Sequence, residues 1–176
     1  MALVLDGNGT MTVGNGDITG LVAGALPSNV IGAGAVLQVV QGLTTTEVTT
    51  SSASPVDTTI AASITPTSST SKILIFATIG EAIKTNGNAN NRIQLKLYKN
   101  GVNMSFNSTP HIMSGNLYTA TALQIRGSLG FNYLDSPATT SALEYRLYFL
   151  SNDASSSITV QNNSSPSTII LMEIAA

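Results

Sequence analysis

Short alternating apolar runs, separated by clusters of Gly, Pro and hydroxyl residues, are the feature that most constrains the fold of this chain. In the run RIQLKLYK, the apolar residues Ile93, Leu95 and Leu97 alternate with Gln, Lys and Tyr, as in a strand with one buried face. The next two residues, Asn100-Gly101, are a pair preferred in tight hairpin turns. The sequence therefore predicts a strand followed by a hairpin, with one face in the core and the other in water.

Comparable runs recur along most of the chain. No window shows sustained 3.6-residue periodicity with caps, so we expect little helix. Clusters such as 49–55 and 65–71 combine hydroxyl residues with Pro and favour turns. The predicted fold is all-β, a jelly-roll-like antiparallel β-sandwich with an N-terminal hairpin and an extended arm. Its predicted strands are 36–41, 58–64, 72–79, 92–99, 102–106, 117–125, 128–134, 143–150, 158–161 and 168–174.

The first 34 residues differ from the rest of the chain. Two brief apolar pieces, 2–5 and 11–13, flank Asp-Gly-Asn-Gly and predict a small hairpin. The segment 14–34 then carries Gly or Pro every few residues, which favours a connector that is flexible or ordered by a partner. We expect residues 1–34 to form a hairpin and attachment arm and residues 35–176 to form the sandwich domain. The predicted partner-binding residues of the arm are Leu3, Leu5, Met11, Val13, Leu21 and Leu26.

The composition argues against catalysis. The chain has no Cys and one His, and these two residue types supply much of enzymatic acid, base, nucleophile and metal chemistry. That histidine, His111, cannot by itself form a metal site or a triad. The Gly-rich pieces complete no phosphate-binding motif. A pair among the five scattered acids Glu81, Asp135, Glu144, Asp153 and Glu173 could serve a glycosidase, but aromatic platforms are few. We expect no enzyme activity and predict no catalytic, cofactor or metal residues.

Charge and hydropathy limit the possible partners. Seven Lys plus Arg against nine Asp plus Glu, scattered along the chain, offer no footprint for nucleic acid. The uncharged stretch 18–46 is broken too often by Gly and Pro to span a membrane. The N-terminus shows neither the basic start nor the cleavage site of a secretory signal, so we expect assembly in cytoplasm.

The C-terminal run TIILMEIAA ends on apolar residues. Such an end favours burial in a central sheet or at a subunit contact. With only 9% charged residues, a monomer would expose much uncharged surface. We therefore expect self-association, with candidate contacts on the last strand and on the strand 143–150.

Two stretches are similar to a known group of proteins. MALVLDGNGTMTVGNGDITGL resembles the leaders of structural proteins in tailed double-stranded DNA bacteriophages, especially those of cyanobacteria and marine bacteria. The region from VLQVVQGL to KILIFATIG, with the later KLYKNG hairpin, resembles a β domain of phage fibre-like and virion-surface proteins. This resemblance implies a homotrimeric virion structural protein with a jelly roll or similar sandwich in each subunit, and it implies no catalytic residues.

Three functions remain open at this point. The preferred one is a homotrimeric capsid decoration (cement) protein whose arm reaches the major capsid protein. The alternative is a short tail fibre or receptor-binding tip, in which the arm joins a tail protein and hydroxyl-rich loops contact a host glycan. A cellular lectin-like or cytokine-like jelly roll is the third, disfavoured by the lack of a signal peptide and disulfides. Either of the first two places the protein in the virion, after assembly in the host cytoplasm.

Overall fold

The computed structural model describes residues 32–84, 92–105, 126–151 and 157–176 in full, and the backbone alone of residues 4–5, 11–12, 113–115 and 125. The chain divides into two compact units, Met1–Gly32 and Ala33–Ala176. In the first unit, strand β1 (Val4–Leu5) pairs antiparallel with strand β2 (Met11–Thr12), which confirms the predicted hairpin. The remainder of the predicted arm, through residue 31, lies outside the described residues.

Described residues of the second unit form eleven strands and one short 3-10 helix, Asn162–Ser164. The strands are β3 (Val36–Thr44), β4 (Val48–Thr50), β5 (Val56–Ile64), β6 (Lys72–Lys84), β7 (Ile93–Lys99), β8 (Val102–Asn103), β9 (Met113–Gly115), β10 (Ile125–Asp135), β11 (Leu143–Ser151), β12 (Ile158–Val160) and β13 (Ser167–Ile174). All of their pairings are antiparallel.

The first sheet is organised around β6, its longest strand. One edge of β6 pairs with β10, and the other edge pairs with β13 and then with β12. Strand β3 lies beyond β13, and β4 lies beyond β12. The chain thus crosses this sheet with two interrupted strands, β3 with β4 and β12 with β13.

The second sheet has the order β5, β11, β7, with β8 and β9 sharing the remaining edge of β7. Counted with the interrupted strands as units, each sheet contains four strands. Their order along the chain is that of an eight-stranded jelly roll, in which consecutive strands mostly change sheets. The predicted fold class is therefore confirmed.

The core lies between the two sheets, because alternate residues of six strands point inward. In β7 the inward residues are Ile93, Leu95 and Leu97, all at most 1% exposed, as their alternation predicts. The other strands contribute residues of the same kind to one continuous apolar cluster, which includes Ile60, Ile64, Ile73, Ile75, Ile79, Leu143, Tyr145, Leu147, Phe149, Ile158, Ile169 and Leu171.

Two glycines permit backbone features that other residues would disturb. Gly42 in β3 lies where the two sheets approach one another, and a Cβ there would overlap the carbonyl oxygen of Ala61 in β5. Gly101 follows Asn100 in the hairpin between β7 and β8, where both residues have positive φ, 77° and 49° respectively. Positive φ at both central residues is what the tight turn predicted from Asn-Gly requires.

Most predicted strands are confirmed, including the last strand, β13, which lies between β3 and β6 in the sheet rather than at an edge. Strand β6 continues five residues beyond its predicted end at Ile79, to Lys84. The prediction of turns from residue 49 onward is wrong at its start. Residues 48–50 form β4, because β12 offers them a pairing edge that local turn preference does not outweigh. The predicted strand 117–125 lies outside the described residues except for Ile125, which begins β10.

Candidate assembly face

Two of the acids considered for a glycosidase pair are brought into one row of the first sheet. Asp135 in β10 and Glu173 in β13 both lie opposite Ile73 of β6, so they flank it on the inward side. Two strand spacings put their backbones about 10 Å apart. Asp135 is 6% exposed and Glu173 is fully buried, so each carboxylate needs hydrogen-bond partners within the protein.

Asp135 ties the two sheets together. The hydroxyl of Tyr145 in β11 donates a hydrogen bond of 2.6 Å to its Oδ2, and Lys99 Nζ in β7 donates another of 2.9 Å. Burial, and then the hydrogen bond to Asp135, raises the pKa of the Tyr145 phenol well above its usual value. The phenol therefore stays protonated and remains a donor to Asp135 at neutral pH.

Glu173 fixes the connection between β5 and β6. Its Oε1 accepts hydrogen bonds of 2.7 Å from both the backbone N–H and the hydroxyl of Thr67. Its Oε2 accepts one of 2.6 Å from Gln38 Nε2, which also donates to the carbonyl oxygen of Thr65. Burial alone would raise the pKa of the Glu173 carboxyl, but the hydrogen bonds from Gln38 and Thr67 outweigh burial and hold it below its usual value.

Glu144 forms an ion pair on the outer side of the second sheet. The Arg146 guanidinium contacts Glu144 at 3.1 Å and Asp57 at 2.6 Å. The hydrogen bond from Arg146 lowers the pKa of the Glu144 carboxyl, and the same pairing raises the pKa of the guanidinium. The contact with Asp57 joins β11 to its neighbour β5.

Glu81 forms a further polar contact, near the 3-10 helix. Asn162 Nδ2 donates a hydrogen bond of 2.9 Å to its Oε2, and Arg126 lies 3.3 Å from its Oε1. The hydrogen bond from Asn162, which has the larger effect, and the contact with Arg126 lower the pKa of the Glu81 carboxyl. Glu81 thereby links β6 to the turn that separates β12 from β13.

The four described acids of the proposed set thus all bond to side chains or backbone of their own chain. Asp153 and His111 lie outside the described residues, so the structure says nothing of their surroundings. Among the residues that are described, no three His, Cys, Asp or Glu side chains gather into a potential metal site. The described part of the chain also contains no helix with the length and hydropathy to cross a membrane. The hydrogen bonds and ion pairs of these four acids connect strands and turns of the fold.

The outer side of the second sheet is a polar face. One row across β5, β11, β7 and β8 contains Ala61, Arg146, Tyr98 and Asn103. In the next row Tyr148 lies opposite Lys96, and its ring packs on that of Tyr98 with centroids 4.2 Å apart and planes tilted by 41°. Ionic, amide and phenolic groups of this kind are compatible with exposure to water.

The outer side of the first sheet is, by contrast, an apolar face. One complete row across β3, β13, β6 and β10 consists of Val39, Met172, Leu74 and Leu134. In the adjacent row Ile170 and Phe76 lie side by side between Gln41 and Asn132. In the row after it, Leu43 lies on the edge strand opposite Thr168. We define the apolar face by these seven residues, Val39, Leu43, Leu74, Phe76, Leu134, Ile170 and Met172.

Several side chains of the apolar face are left exposed by the described residues of the sandwich. Val39 is 56% exposed, Leu43 63%, Phe76 40% and Leu134 45%. Val36, which is also exposed, lies opposite Ile174 at the end of the face. Of the six large hydrophobic side chains exposed in the described residues, five are therefore on this face or at its end, and only Val102 is elsewhere. So many exposed apolar side chains on one side of a sheet mark an interaction site.

The two strands predicted to make subunit contacts lie on different sheets. The outward residues of the last strand lie on the apolar face. In the strand 143–150, Leu143, Leu147 and Phe149 point into the core, and the outward residues belong to the polar face. Of the predicted arm residues, Leu5 and Met11 pair in the hairpin backbone, and Leu3, Val13, Leu21 and Leu26 lie outside the described residues.

A signal for the apolar face was present in the sequence. In KILIFATI, consecutive residues are apolar, so a strand formed by this run has apolar side chains on both faces of its sheet. The core covers Ile73, Ile75 and Ala77, which leaves Leu74 and Phe76 on the outside.

The sequence matches no protein-family model and no curated protein sequence. Solved structures with partial similarity include that of infectious bursal disease virus Gt strain, at 13% identity and a TM-score of 0.36 over 79% of this chain and 38% of that chain. A mutant VP2 protein of the same virus is 12% identical, with a TM-score of 0.38 over 79% of this chain and 36% of that chain. Dimeric latent PorU from Porphyromonas gingivalis is 10% identical, with a TM-score of 0.35 over 82% of this chain and 14% of that chain. The chain thus spans well under half of each of these proteins, and scores this low assign neither a family nor a function.

Proposed function

We propose that this chain is a bacteriophage virion structural protein, a homotrimeric capsid decoration protein that stabilises the head surface. The observation that carries the proposal is the contrast between the two outer faces of the sandwich. The polar face is suited to water, whereas the apolar face needs a protein surface to cover it. Association of several copies in the coat of a particle supplies such a surface, and the described polar clusters stabilise the fold.

Attachment to the particle is assigned to the arm, residues 1–34. A Gly-punctuated segment can lie along a partner and add strands to exposed sheet edges of the major capsid protein. Decoration of this kind stabilises a shell by mass action, because the protein binds the assembled state and not the separate subunits. No cofactor takes part in this mechanism.

A short tail fibre or receptor-binding tip is the second candidate. The feature that favours it is the Tyr98–Tyr148 pair on the polar face, which offers an aromatic surface beside the cationic side chains of Lys96 and Arg146. Aromatic rings and hydrogen-bonding groups together are suited to a host glycan. In this alternative the arm would anchor the chain to a tail protein.

Copy number per virion separates the two candidates. Quantitative mass spectrometry of purified particles should find on the order of hundreds of copies for decoration of the repeated head subunits. A count on the order of ten would instead place the protein on the tail and reject decoration.

Deletion of residues 1–30 tests the attachment mechanism. The truncated chain should fold, because the second unit begins at Ala33 and contains the whole sandwich core. The truncated chain should no longer co-sediment with heads that lack this protein, whereas the full chain should bind them. Binding of the full chain should be insensitive to salt concentration, since the arm carries few charges. Equal binding by the two forms would reject the arm as the attachment element.

A further inference from the structure

We infer that the apolar face is the contact surface between copies of this chain, with the edge-strand residues of the face in one copy packed over its central residues in the next. The inference rests on the proposed function for the number of copies, three, and adds the surface through which they associate. It assigns the contact to the sandwich and leaves the arm for the particle.

The size of the face is appropriate for subunit contact. Four strands about 4.8 Å apart and about seven residues at 3.3 Å each give roughly 450 Å² of sheet plane. The apolar residues occupy seven of the twelve outward positions in its three rows, and uncharged polar residues or glycine occupy the other five. Flat area of that size becomes larger once side-chain relief is included, and a standard protein interface takes about 800 Å² from each partner. The face can therefore supply the central, fully covered part of such an interface, with neighbouring polar residues as its rim.

Chemical complementarity points to a second copy. Three consecutive rows of the face contain no charged residue, and the first charged group is Lys72, opposite Ile174 at one end. Such a surface offers no ionic recognition for a nucleic acid or an acidic partner. The other described surface of comparable extent, the polar face, carries Arg146, Glu144 and Lys96 and does not match it. The apolar face itself is the surface in the described chain that complements it.

Strand order adds a geometric reason. The most exposed residues of the apolar face, Val39 and Leu43, lie on the edge strand β3, whereas Phe76 lies on the central strand β6. An edge strand that projects apolar side chains can pack over the centre of a neighbouring face. Repetition of that contact around an axis closes a ring in which every copy is both donor and acceptor.

The direct test is a pair of matched substitutions measured by analytical ultracentrifugation of the full chain. Val39→Glu combined with Phe76→Glu places two charges in the face and should raise the dissociation constant between copies by more than about 100-fold. Val102→Glu is the control, because it changes another exposed valine that is 70% exposed and belongs to β8 of the other sheet. Circular dichroism should show all variants folded.

A second measurement avoids any dependence on disruption. The chain has no Cys, so a single introduced thiol reports on one position alone. In the associated protein, Val39→Cys should react with a maleimide about 10-fold more slowly than Val102→Cys. On dilution below the dissociation constant, the two rates should converge.

The outcomes distinguish this inference from the proposed function. Association that is lost in the double variant and kept in Val102→Glu supports the face, whether the copies number three or two, although a dimer would reject the trimer. Association that survives the double variant, a reactive thiol at position 39, or a monomeric wild-type chain overturns the inference. Flotation with neutral phosphatidylcholine vesicles would also overturn it by showing a lipid occupant. A trimer that breaks as expected but never binds heads leaves the inference intact and rejects decoration.

Discussion

Replacement of Glu173 by Gln should destabilise the sandwich and reduce its sensitivity to acid. The carboxylate is fully buried and accepts three hydrogen bonds, two from Thr67 and one from Gln38. The amide of the variant has the same shape but one acceptor atom instead of two. If its oxygen keeps the Thr67 donors, its nitrogen faces the Gln38 amide nitrogen, and that bond is lost.

The magnitude follows from the bonds affected. A hydrogen bond to a charged group contributes about 1.5–3 kcal/mol, and a neutral one about 1 kcal/mol. Loss of the Gln38 bond, with weakening of the two Thr67 bonds, should lower the free energy of unfolding by about 2–4 kcal/mol at pH 7. Hydrogen bonding holds the folded-state pKa of Glu173 below its usual value. Its contribution is therefore complete above the unfolded pKa, about 4.3, and is lost as pH falls through the lower folded value.

Urea unfolding followed by circular dichroism at pH 7 and pH 3, at one protein concentration, would measure both effects. The gap between wild type and Glu173→Gln should be largest at pH 7 and should narrow at pH 3. Glu47→Gln is the matched control, because this exposed carboxylate accepts a hydrogen bond of 3.1 Å from the backbone N–H of Asn163. It should cost less than about 0.5 kcal/mol. A gap that is absent at pH 7, or unchanged at pH 3, would refute the reasoning.

Two further substitution pairs test the register and the approach of the sheets. Leu95→Ala should lower the unfolding free energy by about 2–5 kcal/mol, since the side chain is 1% exposed. Lys96→Ala, on the polar face, should change the unfolding free energy by less than about 0.5 kcal/mol. Equal shifts of the urea midpoint in the two variants would contradict the register. Gly42→Ala should cost more than about 2 kcal/mol in the same assay, because its Cβ would overlap the Ala61 carbonyl, whereas Gly127→Ala, with open space around it, should be close to neutral; the reverse order would contradict the packing.

Sequence reasoning reached the fold because this fold depends on local signals. Alternation in RIQLKLYK assigned Ile93, Leu95 and Leu97 to the core without knowledge of any partner strand. The Asn-Gly pair fixed the hairpin turn through its backbone preference alone. Strand β4 was missed because its formation depends on β12, which is more than a hundred residues away in sequence.

The polar clusters could not be found from the sequence, since they depend on how the strands are distributed between the two sheets and how the sheets pack together. Asp135 meets Tyr145 and Lys99 only because β10 and the β7–β11 pair belong to opposite sheets. The apolar face presents the same difficulty in a weaker form. Apolar residues at both parities of β6 predict two buried sides, but only the order β3, β13, β6, β10 joins its outer residues to those of three neighbours.

Stability of the single sandwich and solubility of its surface depend on different parts of this chain. The core and the buried contacts of Asp135 and Glu173 lie between the sheets or at their ends, so folding does not require the apolar face to be covered. Solubility should require it, because only 9% of the residues are charged and little repulsion would keep exposed faces apart. If copies associate through this face as proposed, a change that separates them without adding charge, such as Phe76→Ala with Leu43→Ala, should therefore leave a folded chain that precipitates. The glutamate variants should separate the copies and stay in solution, since each adds the charge that the face lacks.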